Sequence, residues 1–127
     1  MCKIFLVIWG AFVSVSVCAQ TCIGGTEYEG KNGHVYCYSN YSVNWWTAFR
    51  WCASQGRHLA TPEEICDYMT GTFPRVCYNL DGISSEVADF IGWTSLAAGN
   101  GKAYRYHRNA HAVDSQSVLW DGRAICY

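Results

Sequence analysis

The chain of 127 residues is poor in charge and lacks a positive excess, with Lys and Arg numbering 9 against 10 Asp and Glu. Binding nucleic acid through its phosphates needs a strong positive balance, so that class gains no support. There is no internal repeat, no low-complexity tract and no linker, and prolines number only 2. One domain is the expectation for this length. No His-Glu-x-x-His motif occurs. His107 and His111 have the i, i+4 spacing of a zinc pair, but their stretch reads as strand and loop rather than helix, so no metal site is expected.

The apolar run is also too short for a good transmembrane helix. It extends from Ile4 to Val17 behind Lys3, broken by Gly10, Ser14 and Ser16, and ends in Val17-Cys18-Ala19. That pattern reads as a secretory signal over 1–19 with cleavage after Ala19. A retained membrane anchor is the alternative. A lipoprotein acylated at Cys18 is disfavoured by the bulky Val17. Removing Lys3 leaves eight basic residues against ten acidic in the domain at 20–127, with no membrane span.

What is abundant is cysteine and aromatic surface. Cys22, Cys37, Cys52, Cys66, Cys77 and Cys126 follow the signal. An even number behind a signal implies an oxidising compartment and a disulfide framework, although six cysteines allow fifteen pairings. An even count also leaves no thiol for Cys–His catalysis. Aromatics make up 16% of the chain. A small domain needs such large apolar groups, and cross-links, to offset chain entropy.

Residues 44–66 organise the rest. Trp45, Ala48, Phe49, Cys52 and Ala53 lie on one helical face. Ser42 or Asn44 can cap its start, and Gly56 suits a left-handed C-terminal cap. Leu59 and Ala60 run inward. Thr61-Pro62-Glu63-Glu64 then restarts a helix over about 62–69 with a capping box, burying Ile65, Cys66, Tyr68 and Met69. Glu63 and Glu64 are thereby explained as helix-start residues. Trp46 and Trp51 lie off the buried face, available for a sugar-stacking platform, a core or an interface.

On either side the pattern is strand and turn. Residues 20–43 read as a hairpin entry turning at Gly30-Lys31-Asn32-Gly33, with 34–39 as a strand, and Cys22 and Cys37 can close it. Asn40-Tyr41-Ser42 is a glycosylation triplet, relevant only in a eukaryotic host. Residues 72–86 are loop-like, and Cys66 and Cys77 bracket the start of that segment. Val87 to Leu96 suits a core strand. Ala97 to Gly101 is a turn, Lys102 to His107 a half-buried strand, and 108–117 a polar loop. The end reads as strand (Val118-Leu119-Trp120), Asp121-Gly122 turn, strand (Arg123 to Tyr127).

The order Cys37-Tyr38, Trp45-x-x-Ala48-x-x-x-Cys52, Gly56-x-x-Leu59-Ala60-Thr61-Pro62-Glu63-Glu64, Phe90-Ile91-Gly92-Trp93, Trp120-Asp121 and Arg123-Ala124-Ile125-Cys126-Tyr127 resembles the C-type lectin-like domain over about 22–127. The resemblance implies an α+β fold, two helices packed on small antiparallel sheets and stapled by disulfides. It implies a Cys52–Cys126 bond and, as in long forms, Cys22–Cys37. Cys66–Cys77 follows by exclusion and departs from the family. Chain entropy assigns the 52–126 loop about 4 to 5 kcal/mol and the 66–77 loop about 3 kcal/mol.

The calcium and sugar triplets of lectin-like members are not intact. No proline follows Pro74, so the Glu-Pro-Asn or Gln-Pro-Asp triplet is absent, and Trp120-Asp121-Gly122 only partly resembles Trp-Asn-Asp. Asp114 is the only carboxylate between Trp93 and Trp120, whereas calcium wants six to eight oxygen ligands. No cofactor is expected. The 97–120 segment instead carries Lys102, Tyr104, Arg105, Tyr106, His107, Arg108, Asn109 and His111. Cations beside tyrosines can grip an anionic or planar group; the alternative is a solvated strand face with core tyrosines. With Trp120 and Asp121, these residues form the expected ligand surface of a secreted or surface recognition module for a glycan or protein. The alternative is an adhesin-like structural subunit without a small-molecule site. No nucleophile, base or metal set assembles for an enzyme.

Overall fold

The structure, a computed structural model, describes residues 2–8, 12–18, 22–66, 75–76, 78–83, 87 and 89–127. Strands β1 (Cys2–Ile8) and β2 (Phe12–Cys18), in the segment read as a signal, pair antiparallel as a sheet of their own. The main body follows in the order β3 (Gly25–Glu29), β4 (Val35–Ser39), α1 (Trp45–Ser54), α2 (Pro62–Ile65), β5 (Arg75–Val76), β6 (Ile91–Gly99), β7 (Lys102–His107), β8 (Ala112–Ser117) and β9 (Arg123–Cys126). These strands form one seven-stranded sheet in the order β3-β4-β9-β6-β7-β8-β5. Every pair is antiparallel except β6–β9, so the sheet is mixed.

The pleat sorts the core onto both faces, because successive strand residues point opposite ways. Tyr36, Tyr38, Tyr106, Val113 and Ile125 project to a first face covered by Ile65, Leu80, Ile83 and Phe90. Cys37, Trp93, Ala103, Ala124 and Cys126 project to the second, where Trp45, Ala48 and Cys52 of α1 cover them. Each large side chain so buried stabilises by about 1.5–3 kcal/mol. Gly92 is needed where the β6 backbone meets the first cluster: a Cβ there would lie 2.2 Å from Ile125 Cδ1.

The two disulfides between described residues lie in the second cluster. Cys22 bonds Cys37 and Cys52 bonds Cys126, with Cα separations of 6.2 and 5.4 Å. Cys37 is directly opposite Cys126 across β4 and β9, so the two cross-links are neighbours. Cys66 is also disulfide-bonded. The expected Cys66–Cys77 pair rests on Cys77, outside the described residues.

Asn44 caps α1, accepting from the Thr47 N–H at 2.9 Å. Its C-terminus closes with Gly56 at φ +68, its N–H donating to Ala53 O, and Arg57 N–H donating to Cys52 O. That is the Schellman arrangement, which glycine favours. The buried stripe is narrower than expected. Trp45, Ala48 and Cys52 are buried, but Phe49 and Ala53 are exposed. Trp45 Nε1 donating to Thr94 O at 2.8 Å and the Cys52 bond fix the helix at its two ends. Phe49 and Ala53 consequently rotate to the side of the contact.

The expected α+β, C-type lectin-like arrangement of two helices on small antiparallel sheets is corrected by this topology. The described residues are mostly sheet, with one ten-residue helix and one four-residue turn of helix among them. Three local findings account for the difference. First, α2 forms its capping box, Thr61 with Glu64, but stops at Ile65. The Asn79 side-chain amide donates to the Ile65 carbonyl that the next turn would need, and Cys66 is extended at φ −113, ψ 102. Tyr68 and Met69 lie outside the described residues. Second, residues 112–117, expected as loop, are strand β8, paired with β7 over six positions. Only Val113 is fully buried there, so the polar composition hides the strand. Third, Val118-Leu119-Trp120 is a turn rather than a strand, closed by Trp120 N–H to Ser117 O at 3.1 Å. Gly122 then bridges Val43 in both directions.

Candidate functional site

Helix α1 covers only part of the second sheet face, over β9 and β6. Beyond it, register places Ile91 opposite His107 and Trp93 opposite Arg105, then Arg105 opposite Asp114 and Ala103 opposite Gln116. Directly opposed residues share a face. The second face of β7 and β8 therefore carries a polar strip of Arg105, His107, Asp114 and Gln116. The 118–122 turn folds over one end of it.

Arg105 is the keystone of that end. It is 4% exposed. Its guanidinium lies 5.0 Å from the Trp93 ring centroid and 5.6 Å from that of Trp120. Its Nη1 donates to the Asp121 carbonyl at 3.0 Å. Burial lowers its pKa from the ordinary value, against the opposing field of Asp114. A guanidinium stacks readily on aromatic faces. Here it fixes Trp120 from beneath while the indole stays 57% exposed, beside the exposed Asp121.

At the other end, His107 Nε2 lies 2.9 Å from Asp114 Oδ1, yet the two buried atoms are not aligned for a hydrogen bond. Burial pushes the His107 pKa down and Arg105 adds to that, while Asp114 opposes it. The imidazole is therefore neutral at neutral pH. Beside it opens a cavity of about 330 Å³ lined by Asp89, Phe90, Ile91, His107 and Asn109. Asn109 Nδ2 donates to Asp89 Oδ1 at 2.7 Å.

The pleat splits the expected ligand set. Arg105, His107, Asn109, Trp120 and Asp121 line or border the second face. Tyr104 and Tyr106 point into or against the first-face core, with Tyr106 fully buried. Lys102 is exposed at the start of β7, and Arg108 Nη1 donates to Val87 O at 3.1 Å. The expected grip of arginine beside tyrosines is replaced by arginine between tryptophans.

Sequence reasoning missed Asp81, Asp89 and Asp114 as partners. Asp81 lies in the 72–86 segment read only as loop. On the first face it accepts from His111 Nδ1 at 2.7 Å and Tyr106 Oη at 3.2 Å, and pairs with Lys31 Nζ at 3.3 Å. Burial raises its pKa, but these hydrogen bonds outweigh that and hold it below the ordinary carboxylate value. Burial and the Asp81 charge raise the Tyr106 pKa, so its hydroxyl stays protonated. This knot ties the β3–β4 turn, the 78–83 loop and the β7–β8 turn together. Its role is architectural.

Among the described residues, no helix is long and apolar enough to cross a membrane, and no group of three or more His, Cys, Asp or Glu could hold a metal ion. The two disulfides are consistent with an oxidising environment. No protein-family model, no curated protein and no solved structure matches this chain.

Proposed function

We propose that the protein is a secreted recognition module that binds a glycan along the second face of β7 and β8, by binding rather than turnover and without obligatory calcium. The observation carrying this reading is Trp120, a large indole held open to solvent by a buried arginine. A ring fixed before the ligand arrives loses little entropy on binding. Its free apolar face suits the C–H face of a sugar ring, and the neighbouring Asp121 carboxylate accepts from hydroxyls. A glycan array probed with and without chelator tests it. Binding should survive chelator and weaken about tenfold or more in Trp120→Ala, the loss typical of a central aromatic anchor. Chelator-sensitive binding, or full binding by a folded Trp120→Ala variant, overturns it.

A second reading, a protein ligand, is favoured by a different feature. The Trp45 N–H donates to Val118 O, placing the start of α1 beside the turn, and Trp46 and Leu119 are 59% and 79% exposed. Such apolar surface suits a protein partner. Under this reading Trp46→Ala weakens capture of the partner and the glycan array is blank.

A further inference from the structure

We propose that the cavity at the far end of the face is a subsite for an organic ammonium group, so that the glycan recognised is an amino sugar with a free amine. This rests on the glycan reading and names its sugar class. The cavity presents acceptors beside the apolar Ile91 side chain. Asp89 is exposed, and among the described residues it has no cationic partner, only the Asn109 amide on Oδ1. Oδ2 of Asp89 and the amide oxygen of Asn109 are left as acceptors.

Ile91 supplies the apolar side chain of the lining, since Phe90 is buried in the first-face core. Neither nearby arginine pairs with Asp89: Arg105 donates to the Asp121 carbonyl and lies between two indoles, and Arg108 donates to the Val87 carbonyl. A carboxylate beside a neutral imidazole at a partly apolar opening favours a ligand that brings its own positive charge. An anionic sugar meets the Asp89 carboxylate there, and a neutral one leaves Asp89 without a direct counter-ion. About 330 Å³ is of the order expected for a small-molecule site.

The test is an amide and indole NMR titration of the full chain with glucosamine and, separately, N-acetylglucosamine, which has the same ring without the charge. Glucosamine is expected to shift the amides of 89–91 and 107–109, with at least about tenfold higher affinity than the acetylated sugar, as charged hydrogen bonds imply. Asp89→Asn keeps the Asn109 contact and should remove that preference. If the Trp120 indole responds to both sugars with equal affinity and the cavity amides stay still, the subsite is wrong and the glycan reading stands. If the preference persists in Asp89→Asn, the amine binds elsewhere and the subsite is also wrong. If neither Trp120 nor the cavity responds to either sugar, both readings fall together.

Discussion

Removing the Cys52–Cys126 cross-link should be the most damaging small change to this fold. Its cysteines are 74 residues apart, against 15 for Cys22 and Cys37. Loop closure in the unfolded chain then assigns about 4.5 kcal/mol to the first bond and about 3 kcal/mol to the second. Cys52 and Cys126 are both fully buried, where α1 meets β9. Replacing both by alanine also leaves space the surroundings only partly fill, adding about 1 kcal/mol. The sum approaches or exceeds the lower end of the stability of a small domain, about 5 to 15 kcal/mol. Guanidinium titration of Cys52→Ala/Cys126→Ala and Cys22→Ala/Cys37→Ala, with Cys66 left bonded in both, reads the difference directly. The first variant should be less stable than the second by at least about 1.5 kcal/mol, or be unfolded without denaturant. Equal losses, or a larger loss on removing Cys22–Cys37, would refute the chain-entropy reasoning and point to local packing around the β3–β4 hairpin instead.

Two further perturbations test the polar clusters. Arg105→Met fills the same slot without charge, relieving desolvation and the buried Nε that lacks a partner, but it loses the Asp121 carbonyl bond and two indole contacts at about 0.5–2 kcal/mol each. The net loss should be about 1–2 kcal/mol by chemical denaturation, with faster indole motion at Trp120 by relaxation; an equally stable variant shows that the clamp gives no net stability. Asp81 has its pKa lowered in the folded state, so the unfolded chain binds more protons below about pH 4. Its contribution is therefore present above the unfolded pKa and lost as pH falls through the folded one. The melting temperatures of wild type and Asp81→Asn, separated at pH 7, should converge towards pH 3; a constant gap removes the proposed linkage.

The sequence made local structure legible wherever a cap or alternation acts within a few residues. Asn44, Gly56 and the Thr61–Glu64 box sit where short-range rules put them, and the β3–β4 hairpin turns within the expected glycine-bounded segment. What escaped was set at longer range. Asn79 ends α2 from fourteen residues away. β8 gains its backbone partners from β7 although its side chains are mostly polar. In β4, period-two alternation would bury only one side, yet Tyr36, Cys37 and Tyr38 are all buried because the sheet has cover on both faces.

The same limit shaped the candidate site. Tyr104-Arg105-Tyr106-His107 is correctly a strand with tyrosines towards one core. Period-two alternation alone then assigns the arginine side to solvent. It is buried because the 118–122 turn closes over it, and the polarity of Asp121-Gly122 masks how much apolar surface that turn delivers. One contact, Arg105 against Trp120, decides both outcomes: it takes the cation out of solvent and holds the indole in it. Neither β7 nor the turn carries that surface alone. The proposed ligand surface is therefore a property of their docking, and a ligand that stacks on Trp120 should be sensitive to Arg105 even without touching it.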